Sequence, residues 1–279
     1  MTAQTRRASA ATARATREDR AFRIRHFPGL TPAAMIFFAY LYVPIAILFV
    51  LSFNENSTVT VWTGFTLDWY DVVLSNPDIL RAAQNSLVIA SSAAISATVV
   101  AVAAAIAMTH SRFRGQDAIN GVIALPLIVP EIVTAVATLL FFASVGIGLG
   151  HFTVILAHTV FCIPFAYLPI RARLADMDPA LAEAAADLYA DPWAAFRRVT
   201  LPLLWPGVLS GLVLAFIISL DDFVITFFVA GAGATTLPVY IYGMVRIGIT
   251  PEVNAVSTLM IAVSVGFVTL SFFLSRQRQ

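Results

Sequence analysis

The chain has 279 residues, of which 59% are hydrophobic and 12% charged, with a net charge of +1. Soluble domains carry about 25% charged residues, so this composition excludes a water-covered globule, and lipid must replace water over much of the surface. The near-neutral balance argues against a nucleic-acid partner, and the single cysteine, Cys162, excludes an internal disulfide and reads as a small packing residue in an apolar run.

A membrane span needs roughly 20 mostly apolar residues, and six stretches qualify. They run from about Pro32 to Leu51, Ser86 to Met108, Ala118 to Ala143, Phe152 to Ile170, Leu203 to Val229 and Val253 to Leu274. The reading is an all-α membrane protein, with a tail over residues 1–29 and a six-helix transmembrane domain over 30–279. Thr31-Pro32 and Thr250-Pro251 place a hydroxyl at the helix cap and proline in the first turn. Pro126 and Pro130 in the third span, and Pro164 and Pro169 in the fourth, predict kinks in both.

All 17 basic residues are arginine, and their placement sets an orientation. Arg6, Arg7, Arg14, Arg17, Arg20, Arg23 and Arg25 precede the first span. Arg112 and Arg114 follow the second, Arg171, Arg173, Arg197 and Arg198 lie between the fourth and fifth, and Arg276 and Arg278 follow the last. The alternate loops hold only Arg81 and Arg246, so both ends are expected in the cytoplasm of a bacterial inner-membrane protein. The Arg- and Ser/Thr-rich tail also has the composition of a transit peptide; a cytoplasmic tail is the simpler reading because it continues the arginine asymmetry. Arg6-Arg7 is a poor twin-arginine match, because the apolar run starts too late.

The segment Asp176–Gly207 is too long for a simple connector. Asp178-Pro179 and Asp191-Pro192 each begin a helix, with aspartate as cap and proline at the first position. Leu181, Ala182, Ala184, Ala185 and Leu188 give the first an apolar face, and Trp193, Phe196 and Val199 do so for the second. Pro202 and Pro206 mark the return to the membrane. Such a pair of short helices is either a docking surface or a structured loop packed on its own protein.

Glu183-Ala184-Ala185, Ala190, Phe196, Val199, Leu201-Pro202 and Pro206-Gly207 resemble the "EAA" loop of ABC-importer permeases. More narrowly, Leu125 to Glu131, Ser219 to Phe223, Leu237-Pro238 and Pro251 to Ala255 resemble the second permease subunit of the spermidine/putrescine branch. The resemblance implies the type I importer (MetI-like) permease fold and a coupling loop over residues 176–202. In that loop Glu183, Ala184, Ala185, Tyr189 and Ala190 would face an ATPase. It also implies a companion permease subunit, two ATP-binding subunits and an extracytoplasmic substrate-binding protein. The family has glycine where this chain has Tyr189, which puts in doubt how the turn between the two helices is built.

A phosphate-binding loop needs a lysine after a glycine-rich turn. This chain has no lysine, so ATP and Mg²⁺ are expected on a partner chain, with no cofactor, metal or catalytic residue here. His110 and His151 sit at loop edges and His158 lies in the fourth span without a neighbouring cluster, the pattern of structural histidines.

Acidic residues at membrane depth are costly, about 2.5–3.5 kcal/mol each on insertion scales, and so face a cavity or a partner. Glu131 in the third span and Asp221 and Asp222 in the fifth are the candidates. On one continuous helix the aspartates would point about 100° apart, so that at most one faces a pathway. Glu131 and one aspartate would suit an organic cation with spaced ammonium groups, with Tyr240 and Tyr242 adding cation–π attraction. The bland alternative pairs the acids with a partner's arginines or leaves them protonated. Rival readings of the whole are a proton-coupled secondary transporter, an ABC permease for another small solute, and a non-transporting membrane scaffold.

Overall fold

The computed structural model describes residues 29–58, 61–110 and 113–276. The arginine-rich tail, Arg112 and Arg278 lie outside the described residues. The chain divides into two compact units, 1–51 and 52–279. In the first, α1 (Leu30–Leu51) is apolar on every side. Its 22 residues span about 33 Å, enough to cross a hydrocarbon core of about 30 Å. Ala33 N–H donates to Gly29 O at 3.1 Å. The helix therefore starts one residue before Thr31, and Gly29 rather than Thr31 stands at its cap.

The second unit opens with a loop organised around buried Asn54, whose amide donates to Val61 O at 2.9 Å and whose backbone carbonyl accepts from Trp69 Nε1 at 2.8 Å. The helices that follow are α2 (Asp68–Ser75), α3 (Pro77–His110), α4 (Gln116–Ile128), α5 (Glu131–Val145), α6 (His151–Ala175), α7 (Pro179–Asp187), α8 (Pro192–Ala195), α9 (Leu201–Asp221), α10 (Val224–Val229), α11 (Leu237–Ile247) and α12 (Pro251–Arg276). Among the described residues, α1, α3, α6, the rod Pro192–Asp221 and α12 are long and apolar enough to span a membrane. The pair α4–α5 adds a sixth span if counted as one.

Three expectations are corrected. The third span is not a kinked helix but two helices bent by 109° at Val129-Pro130. The fourth span is one helix, α6 running through both Pro164 and Pro169 over 25 residues. The fifth is not continuous, since α9 ends at Asp221 and Asp222 takes an extended conformation, φ −62° and ψ 125°. The second loop helix is also no separate element. It flows into α9 through a π-turn at Phe196–Thr200, closed by Leu201 N–H to Phe196 O. The wide turn falls just before Pro202, which has no N–H to continue the ladder.

The core is built on small residues. Ala94, Ala97, Ala101 and Ala105 form a fully buried stripe on α3 that packs with Cys162, Ala166 and Ile170 of α6 and Leu204, Val208 and Ala215 of α9. A Cβ at Gly211 would come 2.6 Å from Ala166 O, and one at Gly207 would come 2.6 Å from Arg173 Cβ. Without a hydrophobic driving force inside lipid, this close approach is what holds helices together. Cys162 packs here, its thiol 3.5 Å from Ala215 O.

A second cluster (Ala135, Phe142, Val154, Ile225, Val229) joins α5, α6 and α10. A third (Val73, Ile79, Ala255, Val256) joins α2, the start of α3 and α12. His151 Nε2 lies 2.9 Å from Asn85 Oδ1, and the Asn85 amide donates to Gly233 O and Thr235 O, both at 2.9 Å. This clip ties α3 and α6 to the loop after α10.

Candidate functional site

Two helix breaks meet inside the second unit, and each carries a carboxyl. Val129 is held extended, ψ 131°, as the residue before Pro130. Glu131 therefore sits in the first turn of α5, where a negative charge is favoured by the helix dipole. The Asp222 carboxylate caps α10. It accepts from Ile225 N–H at 3.4 Å, Thr226 N–H at 2.9 Å and Thr226 Oγ at 3.0 Å. The Glu131 carboxyl neighbours that of Asp222.

Behind this pair lies a histidine that sequence reasoning set aside. His158 of α6 is 1% exposed, with Nε2 3.0 Å from Asp222 Oδ1 and 2.9 Å from Thr226 Oγ, and Nδ1 2.7 Å from Ser219 Oγ. The expectation that His158 lacks a cluster is corrected: α6 brings it against both sides of the α9–α10 break. The signal was present, since an ionisable side chain in mid-span is by itself a site hypothesis. Its partners are 61 and 68 residues away in sequence, so no local spacing showed them.

The two aspartates part company. Asp222 is buried; Asp221 is exposed and lies 3.4 Å from Ser264 Oγ of α12. The 100° separation drawn for a continuous helix does not apply, because the helix ends between them. The tyrosines also separate. Tyr242 packs at a tilt of 48° against Phe223, the residue after Asp222, with ring centres 4.7 Å apart, and meets Phe227 edge-on at 6.0 Å. Tyr240 packs with the cluster around Val73 and Val256. Burial, and then the carboxylates of Asp78 and Glu252, raise its phenol above the ordinary value, so it remains a neutral hydroxyl.

The loop between α6 and α8 keeps its two starts. Asp178 Oδ1 accepts from Ala180 N–H at 3.0 Å, and Asp191 Oδ2 from Trp193 N–H at 3.1 Å and Ala194 N–H at 3.3 Å. Between them Tyr189 adopts φ +55°, the left-handed conformation that glycine takes without cost. Ala190 N–H closes back on Ala185 O at 3.1 Å, a Schellman-type helix end. The turn is thus built in the glycine manner in spite of the tyrosine, whose side chain is 97% exposed. Glu183 and Ala184 lie on α7 and Ala185 is buried there; the described side chains do not include that of Glu183. Leu188 and Trp193 flank Tyr189, both exposed.

Residues 97–278 match the family described as the binding-protein-dependent transport system inner membrane component. The chain belongs to this family. The permease is 42% identical, over 87% of its length and 94% of the relative's, to the spermidine/putrescine transport system permease protein PotC of Haemophilus influenzae. It is 39% identical to PotC of Escherichia coli K12, over 86% of its length and 91% of the relative's. To the putrescine transport system permease protein PotI of the same strain it is 38% identical, over 87% and 89%. Among solved structures it resembles a bacterial alginate ABC transporter chain in complex with a pentasaccharide-bound periplasmic protein. That match has a TM-score of 0.69 and 19% identity over 90% of this chain and 93% of the other. It also resembles the MetNI methionine ABC transporter, with a TM-score of 0.63 and 17% identity over 77% and 100%. The fold is that of ABC importer permeases, and the permease resembles the polyamine branch on sequence.

Proposed function

We propose that the permease forms half of the translocation pathway of an ATP-driven importer for polyamines or a closely related organic cation. The observation that carries the cargo class is the carboxyl of Glu131, placed beside buried Asp222 where two spans break. An aromatic wall of Phe223, Phe227 and Tyr242 adjoins it. A chain of separated ammonium groups finds there both opposite charge and ring faces. The 42% identity to a spermidine/putrescine permease supports the same cargo.

Both ends of the chain lie in the cytoplasm, as the arginine asymmetry implies, in a bacterial inner membrane. The α7–α8 loop then faces the cytoplasm and offers Leu188, Tyr189 and Trp193 to an ATPase, which binds the ATP and Mg²⁺. Two such ATPases, a companion permease subunit and an extracytoplasmic binding protein complete the machine. A fixed helix end at Tyr189 and a rod that continues from α8 into α9 transmit motion of the loop to the break at Asp222.

Co-purification from the native membrane, followed by labelled spermidine uptake in proteoliposomes, tests this. The expected result is a companion permease and an ATPase in the complex and uptake that requires ATP. Uptake by this chain alone, driven by a proton gradient, would overturn the ATP-driven reading. An ATP-dependent complex that carries no polyamine would overturn only the cargo.

A further inference from the structure

The His158 ring is fully committed. Nε2 faces Asp222 Oδ1 at 3.0 Å and Thr226 Oγ at 2.9 Å, and Thr226 Oγ itself donates to Asp222 Oδ1 at 3.0 Å. With the threonine proton directed at the carboxylate, both neighbours of Nε2 are acceptors, so Nε2 carries the hydrogen. Nδ1 pairs with Ser219 Oγ at 2.7 Å. One imidazole thus bridges the last turn of α9 to the first turn of α10 across the break at Asp222. Asp222 is correspondingly saturated: Oδ1 takes the Thr226 amide, the Thr226 hydroxyl and His158, and Oδ2 takes the Ile225 amide. A carboxylate so fully occupied and buried has little left for a passing ammonium group. Glu131 is only partly buried. Asp221 stands on the other side, toward α12.

We propose that His158 is a positioning residue of the transport cycle: its Nε2–H holds Asp222 as the cap of α10 and so locks the α9–α10 break, which leaves Glu131 as the carboxyl free to meet the cation. The proposal rests on the transport reading above, and goes beyond it by dividing the acids between a structural lock and a cargo contact. Removing the imidazole leaves a buried carboxylate short of a donor, and the break loses its bridge. The rate of the conformational step falls, while the affinity for cargo delivered to the complex does not.

The assembled importer is compared as wild type, His158→Leu, His158→Gln, Asp222→Asn and the double variant His158→Leu/Asp222→Asn, with uptake expressed per assembled complex. The glutamine amide can still donate to Asp222. Expected results are a maximal uptake rate at least tenfold lower for His158→Leu with KM within twofold of wild type, and at least a third of the rate restored in His158→Gln. The double variant is expected to be no slower than the slower single one, because both changes remove the same lock. A wild-type rate in His158→Leu, a change in KM in place of the rate, or multiplicative losses in the double variant would each overturn the proposal.

A second arm needs no cargo. In the complex labelled with ¹⁵N in the histidine rings, the His158 signals are identified by their loss in His158→Gln. Nε2 is expected to be protonated, and a bare Nε2 would overturn the assignment. If the wild-type complex moves no polyamine, the cargo reading fails while this arm still decides the inference. If His158→Leu does not assemble, the glutamine variant and the ring nitrogens decide it.

Discussion

The third and fourth spans each hold two prolines, yet one is folded through 109° and the other is a single helix. Proline removes the same backbone donor in both. In α6, Pro164 is buried, and the residues around it (Cys162, Ala166, Tyr167, Ile170) are clamped by the alanine stripe of α3 and the glycines of α9. Around the other break, Leu125, Leu127 and Ile128 are exposed, and no clamp opposes the preference of Val129 for an extended conformation before Pro130. Proline therefore supplies a weak point, and packing decides whether the chain bends there. The bent span is also the one that delivers a carboxyl to the interior, because the break places Glu131 at a helix start beside Asp222.

If that delivery is what the bend is for, Glu131→Gln has the largest effect. We expect labelled polyamine uptake per assembled complex to fall at least tenfold, with assembly intact, whereas Asp221→Asn on the α12 side costs less than threefold. Equal losses would erase the distinction between the two acids. The continuity of α6 is tested from its clamp. Gly211→Val forces a side chain against Ala166 O and is expected to destabilise the permease by about 1–3 kcal/mol, read as a lowered Tm in detergent. Spin-label distances along α6 should then report bending near Pro164. A lowered Tm with unchanged α6 distances would show that the clamp is not what keeps the helix continuous.

Pro130→Ala is a smaller perturbation from the other side. Restoring the N–H should open the 109° angle measurably by the same spin-label method and lower uptake a few-fold. An unchanged angle would mean that the Glu131–Asp222 contact alone holds the bend. The smallest effect is at the loop. A left-handed non-glycine residue costs about 1–2 kcal/mol, so Tyr189→Gly should slow hydrogen exchange of the α7 amides at least about fivefold, 1.4 kcal/mol being a factor of ten. Unchanged exchange would show that the tyrosine is not strained there.

Much of the architecture was legible from residues alone, because its signals are local. Apolar runs of span length give the helices, and the two Asp-Pro pairs give the loop's helix starts, since the capping carboxylate and the proline act within one turn. The EAA-like residues located the turn between the two loop helices, but whether Tyr189 could build it in the glycine manner was left open until the structure showed its left-handed conformation. What failed did so for non-local reasons. Span five was read as one helix because Leu220-Asp221-Asp222-Phe223 contains no glycine or proline to mark the break. The interruption comes instead from Asp222 turning its carboxylate onto the amides of α10 while His158 binds it from α6. His158 was passed over because its partners lie on other helices.

The sequence by itself determined the solvent this chain requires, the number of apolar spans and the positions of the acids, since hydrophobicity and charge act residue by residue. Only the tertiary structure decided which prolines bend, which aspartate is buried and which histidine holds it. Those outcomes depend on the close packing of α3, α6 and α9 and on hydrogen bonds between residues about 60 or more positions apart.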